Sequence, residues 1–250
     1  MPVFETESLV LKSYNLAEAD RIVVFFTRDQ GIVRGVAKGA KRLHSRFGST
    51  LELFSTVQLS YFQKEDRELV TIQQVELIKS CFSAACDPEF LHRFSYLADL
   101  LMAFVPPHDP SETIYRMTKA CLDAALESTD RLVAISLYFE LWLLRLSGYL
   151  PDWSRCDECK RTLGAKEPAS LRADFHLICD NCRRTRRLEP ISPSHLEAFH
   201  SVQKFPPSKF LELTDARTDT VIELSAILRR IITQVVGRDL MNERTLAINS

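Results

Sequence analysis

Cys156, Cys159, Cys179 and Cys182 form two Cys-x-x-Cys pairs separated by nineteen residues, and no other feature of the chain restricts its fold as much. Four thiolates so spaced suit a tetrahedral zinc site, which closes a small module by holding two turns together. Asp157-Glu158 and Asp180-Asn181 occupy the turns, and the segment between the pairs must fold out and back. An all-cysteine set fills the coordination sphere, so it predicts a structural ion; a catalytic zinc keeps a position open for water or substrate. The competing reading is four unmetallated or redox-active thiols, although a redox motif needs only one pair.

The 250 residues suffice for one large domain or for two to three small ones, and an apolar share of 46% is that of a folded chain. The opening Met1-Pro2-Val3-Phe4-Glu5 has no basic region leading into an apolar core, so a cytoplasmic location, associated with the nucleoid, is expected. The most apolar stretch, Leu132 to Leu146, contains Glu140 and Arg145 and falls short of the roughly 20 residues of a membrane span. It predicts a buried helix and no membrane partner. In a reducing compartment Cys81, Cys86 and Cys121 are expected as core thiols.

From Ser8 to Ile78 alternating β-branched and aromatic residues predict five strands, around Leu9–Leu11, Ile22–Phe26, Ile32–Val33, Val57–Phe62 and Leu69–Ile72. Asp29-Gln30-Gly31 and Lys64-Glu65-Asp66-Arg67 are the expected turns. Five strands in so short a span predict a small barrel of the oligonucleotide-binding (OB) type. Beyond Cys81 the pattern becomes helical. Asp87-Pro88-Glu89 starts a helix to about Phe104, and Asp109-Pro110-Ser111-Glu112 another to about Leu126, with Glu112 expected in a capping box. Ser128-Thr129-Asp130 opens the most hydrophobic helix, closed near Gly148 and expected at the centre of its domain. After the cysteine module, Ser192-Pro193 starts a helix to about Gln203, Pro206-Pro207 breaks the chain, and Thr218 to Val236 forms the last helix. The predicted fold is α+β: a five-stranded OB-fold β-barrel (1–80), an α-helical domain in two parts (81–150 and 191–250), and an inserted four-cysteine zinc finger (151–190).

The net charge of −1 conceals an uneven distribution. No acidic residue lies between Asp29 and Glu52, while Arg34, Lys38, Lys41, Arg42 and Arg46 do, with His44 among them. Gly39 and its small neighbours let backbone approach a phosphate, and the cations neutralise it, which suits a nucleic-acid backbone. Phe47, Phe54 and Tyr61 are candidate stacking surfaces, with barrel core as the alternative. A second basic run, Arg183, Arg184, Arg186 and Arg187, follows the last cysteine and reads equally as a solvated face. His92, His108, His176, His195 and His200 lack a partner pattern such as His-Glu-x-x-His, and no catalytic residue is expected.

Several runs resemble the RecO family of bacterial recombination mediators. Glu7-Ser8-Leu9-Val10-Leu11-Lys12, with Glu18-Ala19-Asp20-Arg21-Ile22-Val23 and Phe26-Thr27-Arg28-Asp29-Gln30-Gly31, is similar to that family's first hairpin. Ala37-Lys38-Gly39-Ala40-Lys41-Arg42 with Ser45-Arg46 resembles its basic loop, and Leu146-Ser147-Gly148-Tyr149-Leu150-Pro151-Asp152 with Cys156-Asp157-Glu158-Cys159 its entry into the zinc module. Leu228-Arg229-Arg230, Leu240 and Arg244-Thr245-Leu246 are a weaker echo. The resemblance implies an ATP-independent DNA repair and recombination protein that binds single- and double-stranded DNA and anneals complementary strands. It also implies work with RecR and single-strand-binding protein to load RecA. It implies Lys38, Lys41, Arg42 and Arg46 as DNA contacts, Arg21 and Arg34 as supporters, and Cys156, Cys159, Cys179 and Cys182 around a structural zinc. One departure is the scarcity of glycine before the second pair, where Phe175-His176-Leu177 stands. A zinc-ribbon nuclease or RNA-modifying enzyme, and a transcription or translation accessory factor, use the same modules and remain the alternatives.

Overall fold

The computed structural model describes residues 3–63, 68–164, 166–185, 188–214 and 218–241. The expected turn at Lys64–Arg67, Arg186, Arg187 and the Arg244–Leu246 echo lie outside the described residues. The chain forms two compact units, Met1–Lys119 and Ala120–Ser250.

In the first unit, β1 (Val3–Asn15), β2 (Arg21–Thr27), β3 (Gly31–Ala37), β4 (Thr56–Phe62) and β5 (Val70–Lys79) make an OB-like barrel closed in the order β1-β2-β3-β5-β4. Strand β1 serves both neighbours: its first half pairs with β4 and its second with β2. Apart from β3 and β5, every pairing is antiparallel. Strands β3 and β5 meet in parallel through only Gly35–Val70 and Val36–Thr71. This seam requires a glycine, because a Cβ at Gly35 would fall 2.6 Å from Cγ1 of Ile72. Val10, Val23, Phe25, Val33, Val57, Leu59 and Ile72 fill the interior, each contributing roughly 1.5–3 kcal/mol through burial.

After the single turn α1 (Phe82–Ala85), the first unit continues with α2 (Pro88–Phe104). The Asp87 carboxylate accepts from the amides of Glu89 and Phe90, capping α2 as its sequence predicts. Phe90 and Phe94 stack on α2 and receive Phe54 edge-on. Helix α3 (Glu112–Glu127) departs from expectation at its start. Glu112 is its first residue, too early to complete a capping box, and its carboxylate takes the Arg28 guanidinium at 2.8 Å instead.

The second unit is built around α4 (Leu132–Leu146), entered through a short 3-10 turn at Thr129–Arg131. Leu137, Phe139, Leu143 and Leu144 are fully buried. Helices α5 (Pro193–Lys204), α6 (Pro207–Thr214) and α7 (Thr218–Val236) all pack on α4, which therefore holds the expected central place. Helix α6 is not legible as a helix in the sequence: Pro207 reads as a breaker but occupies the first helical position, where its missing N–H costs nothing. Three short strands, β6 (Ala169–Leu171), β7 (Leu177–Cys179) and β8 (Glu189–Ile191), form a sheet in the order β7-β6-β8 beside the cysteine pairs. No helix among the described residues is long and apolar enough to cross a membrane.

Candidate nucleic-acid interface and metal centre

The basic loop leaves β3 through Gly39, whose φ of +72° is a left-handed conformation that favours glycine. Its amide donates to Oδ1 of Asp20 at 2.8 Å, and the Lys41 amide donates to the Ala19 carbonyl at 2.9 Å. The loop between β1 and β2 thus anchors the loop after β3. Successive turns follow, with Arg42 N to Gly39 O at 3.1 Å and Ser45 N to Arg42 O at 3.0 Å. Such a chain of turns presents Lys38, Lys41 and Arg42 to solvent on a fixed frame.

The predicted contact residues differ in freedom. Arg34, on β3, and Lys38 and Arg42 are exposed. Among the described residues, none of the cations Arg34, Lys38, Lys41, Arg42 and Arg46 lies within ion-pair distance of a carboxylate. Lys41 Nζ reaches the Ala17 carbonyl at 3.3 Å. Arg46 is held more firmly: Nη2 donates to Ile72 O at 3.2 Å and its guanidinium sits 4.8 Å over the Phe47 ring. Arg21 is half-buried.

The candidate stacking aromatics do not serve that purpose. Phe47, Phe54 and Tyr61 are all less than 5% exposed and belong to the packed interior. The large apolar side chains exposed at this end of the barrel are instead Tyr14, next to last in β1, Leu16 just beyond that strand, and Leu43, which sits between Arg42 and His44.

In the second unit the four sulfurs of Cys156, Cys159, Cys179 and Cys182 lie within 4.8 Å of one another, and those of Cys159 and Cys179 are 3.9 Å apart. A tetrahedral ion with metal–sulfur bonds of about 2.3 Å places its ligands about 3.8 Å apart, so the quartet fits such an ion. Local hydrogen bonds hold the turns: Lys160 N to Cys156 O at 2.9 Å, and Cys182 N to Cys179 O at 3.0 Å. The Asp157 amide reaches Leu177 O at 2.8 Å and joins the two halves. Burial opposes ionisation of Cys156, but the amides of Cys159 and Cys179 outweigh it and bring its pKa down to about 6. The thiols of Cys179 and Cys159 push Cys182 up to about 12, since thiolates crowded together need a cation to neutralise them. Two non-glycine residues take left-handed conformations here, Lys160 at φ 56° and Phe175 at φ 62°, where glycine is the usual occupant. Phe175 is fixed from outside the turn, its carbonyl accepting from Nε1 of the buried Trp153 at 2.8 Å.

Arg183 and Arg184, the described part of the second basic run, each have a carboxylate within 4 Å, Asp180 and Glu158 respectively. Arg155, Lys160, Arg161 and Arg172 are likewise paired with acids. These six cations of the cysteine module thus each have an acid beside them, whereas, among the described residues, those of the barrel loop do not.

Residues 1–81 match the family model described as Recombination protein O N terminal, and residues 88–244 match Recombination protein O C terminal. The chain belongs to the RecO family. Among its relatives is the DNA repair protein RecO of Koribacter versatilis, 32% identical over 74% of this chain and 73% of that protein. The DNA repair protein RecO of Rubrobacter xylanophilus is 30% identical over 82% and 83%. That of Thermoanaerobacter sp. is 29% identical over 89% and 88%. In this chain the barrel falls within the N-terminal match, and helices α2 to α7 with the cysteine quartet fall within the C-terminal one.

Proposed function

We propose that this RecO-family repair protein is a recombination mediator that binds single- and double-stranded DNA through Arg34, Lys38, Lys41, Arg42 and Arg46, anneals complementary strands, and with RecR loads RecA onto DNA coated with single-strand-binding protein. The observation that carries the DNA assignment is the absence of carboxylate partners, among the described residues, for these five cations. Two strands repel along their phosphates, and a surface that neutralises both lowers that barrier and raises their local concentration. Each phosphate contact releases counterions and steepens the fall of affinity with salt, by about 0.7–0.9 in the log–log slope. Nothing in such a cycle makes or breaks a covalent bond, so the protein acts by binding and without turnover of its own. Contact through phosphates makes the activity largely independent of sequence.

The cysteine quartet would hold a structural zinc ion through all four thiolates, which supplies folding energy to the module and leaves no open position for chemistry. The test is annealing of two complementary fluorescent oligonucleotides coated with single-strand-binding protein, without ATP. The wild-type protein accelerates annealing, and the Lys41→Ala/Arg42→Ala double variant loses that acceleration. Wild-type protein that does not accelerate annealing overturns the mediator reading.

A further inference from the structure

The outer face of the barrel at the loop end carries one exposed aromatic, Tyr14, one row of the sheet away from the exposed Arg34. A β-bulge places Leu11 as the extra residue of β1, between the pairs Val10–Phe25 and Lys12–Val24. Val10, Val23 and Phe25 fill the barrel interior. Alternation from Val10 would turn Tyr14 inward as well, but the bulge reverses the phase, so Lys12 and Tyr14 face outward with Val24 and Ile22. Tyr14 is 47% exposed. It stands directly opposite Ile22, which stands opposite Val36, and the adjacent row runs Lys12, Val24, Arg34. Within that row Lys12 is closed by the Asp99 carboxylate, whereas Arg34 is exposed and, among the described residues, has no acidic partner.

Directly opposite residues of an antiparallel pair share a face. The half-buried Ile22 and Val36 therefore form an apolar floor between the Tyr14 ring and the third strand, with Arg34 one row away. With strands about 4.8 Å apart, Tyr14 and Arg34 are on the order of 10 Å apart across the sheet. Beyond Tyr14 the chain enters the loop whose Asp20 and Ala19 hold Gly39 and Lys41. Tyr14 thus stands on the strand that leads into the anchor of the cationic loop and two strands across the sheet from Arg34, so this barrel face combines one exposed π-face with cations that, among the described residues, no carboxylate pairs.

From this arrangement we infer that Tyr14 is a base-stacking platform, which makes unpaired strand, whose bases are free to leave their own stack, the preferred ligand of the barrel face. The inference rests on the DNA-binding reading of the loop and adds to it a contact that phosphates do not supply. Stacking of a base on an aromatic side chain tolerates any sequence, because every base has a π-face. A duplex keeps its bases stacked internally and offers this ring only phosphate and sugar.

The experiment is fluorescence anisotropy of the full chain with a labelled oligothymidine strand and with an abasic strand of equal length, each titrated with salt. Wild type, Tyr14→Ala, Tyr14→Phe and Lys41→Ala/Arg42→Ala are compared, and thermal melts establish that each variant is folded. Tyr14→Ala is expected to lose about 5- to 150-fold in affinity for oligothymidine at every salt concentration, with an unchanged salt slope. Tyr14→Phe keeps wild-type affinity, and the abasic strand does not distinguish the variants at position 14. Equal binding of oligothymidine by wild type and Tyr14→Ala overturns the stacking role, as does an equal loss on the abasic strand. The loop reading is judged separately, on whether Lys41→Ala/Arg42→Ala lowers the salt slope. Wild-type protein that binds neither strand overturns both.

Discussion

The Asp20 carboxylate accepts a hydrogen bond from the Gly39 amide at 2.8 Å, so the turn that leaves β1 holds the turn that leaves β3. An acidic residue stands in this way at the foot of a loop that is otherwise free of acid, and its charge and its hydrogen bond have opposite effects on an anionic ligand. Removing the charge alone favours DNA, whereas removing the hydrogen bond loosens the frame on which Lys38, Lys41 and Arg42 are presented.

Asp20→Asn keeps an acceptor for the Gly39 amide and deletes the charge, so it is expected to bind DNA more tightly than wild type. Asp20→Ala deletes both, costs about 1–2 kcal/mol of stability, and is expected to bind more weakly than Asp20→Asn. Chemical denaturation and anisotropy on the same preparations check the pair; equal DNA affinities of the two variants would show that the hydrogen bond does not order the loop.

Gly35→Ala drives a methyl group into Ile72 and Val70, both buried at the seam between β3 and β5. Overpacking of this kind costs about 1–3 kcal/mol. A urea midpoint lowered accordingly, with protection lost first from β3 and β5 amides in hydrogen exchange, is the expected result.

Lys160 adopts φ 56°, and its exposed ammonium is 3.0 Å from Asp157. A left-handed L-residue costs about 1–2 kcal/mol, while an exposed ion pair contributes at most about 1 kcal/mol. Lys160→Gly is therefore expected to stabilise the module slightly, read as a rise in melting temperature. A fall would mean that the Asp157 contact outweighs the backbone strain.

Burial pushes the Glu7 carboxyl up, but hydrogen bonds from Lys119 at 2.6 Å and Tyr115 at 3.0 Å outweigh it and hold Glu7 below the usual carboxylate range. A carboxyl depressed in the folded state contributes stability that is complete above its ordinary value of 4.5 and disappears as the pH falls through the lower folded value. Wild type should accordingly lose more stability than Glu7→Gln on acidification from roughly pH 5 to pH 3. Parallel denaturation curves at the two pH values would remove Glu7 from the account of acid stability.

Removal of the proposed zinc by a strong chelator, or Cys179→Ser, should unfold the module around the quartet. Trp153 reports on it, being fully buried with its indole N–H on Phe175 O. The expected readouts are a red-shifted tryptophan emission and a lower melting temperature. Full metal content and an unchanged melt in Cys179→Ser would remove that residue from the ligand set.

What the sequence by itself determined is what depends on neighbours a few residues away. Two residues between cysteines suffice to turn the backbone so that both thiolates share one centre, and the four sulfurs converge as that spacing predicts. Asp87-Pro88 caps α2 from a distance of two residues, and the bounds of α7 follow from its own periodicity. Exposure and charge compensation depend instead on residues distant along the chain, and these only the tertiary structure decided. Phe47, Phe54 and Tyr61 look as available as any aromatic until barrel and helix close over them. Tyr14 has the parity of the interior Val10 and turns outward only because a bulge at Leu11, set by how β1 pairs with β2, reverses its face. The two basic runs are alike in sequence, yet Arg184 meets Glu158 from the opposite cysteine pair, whereas the barrel loop folds where, among the described residues, no acid reaches its cations. Local backbone geometry is written in adjacent residues; whether a ring or a charge remains available to a ligand depends on which distant residues the fold brings beside it.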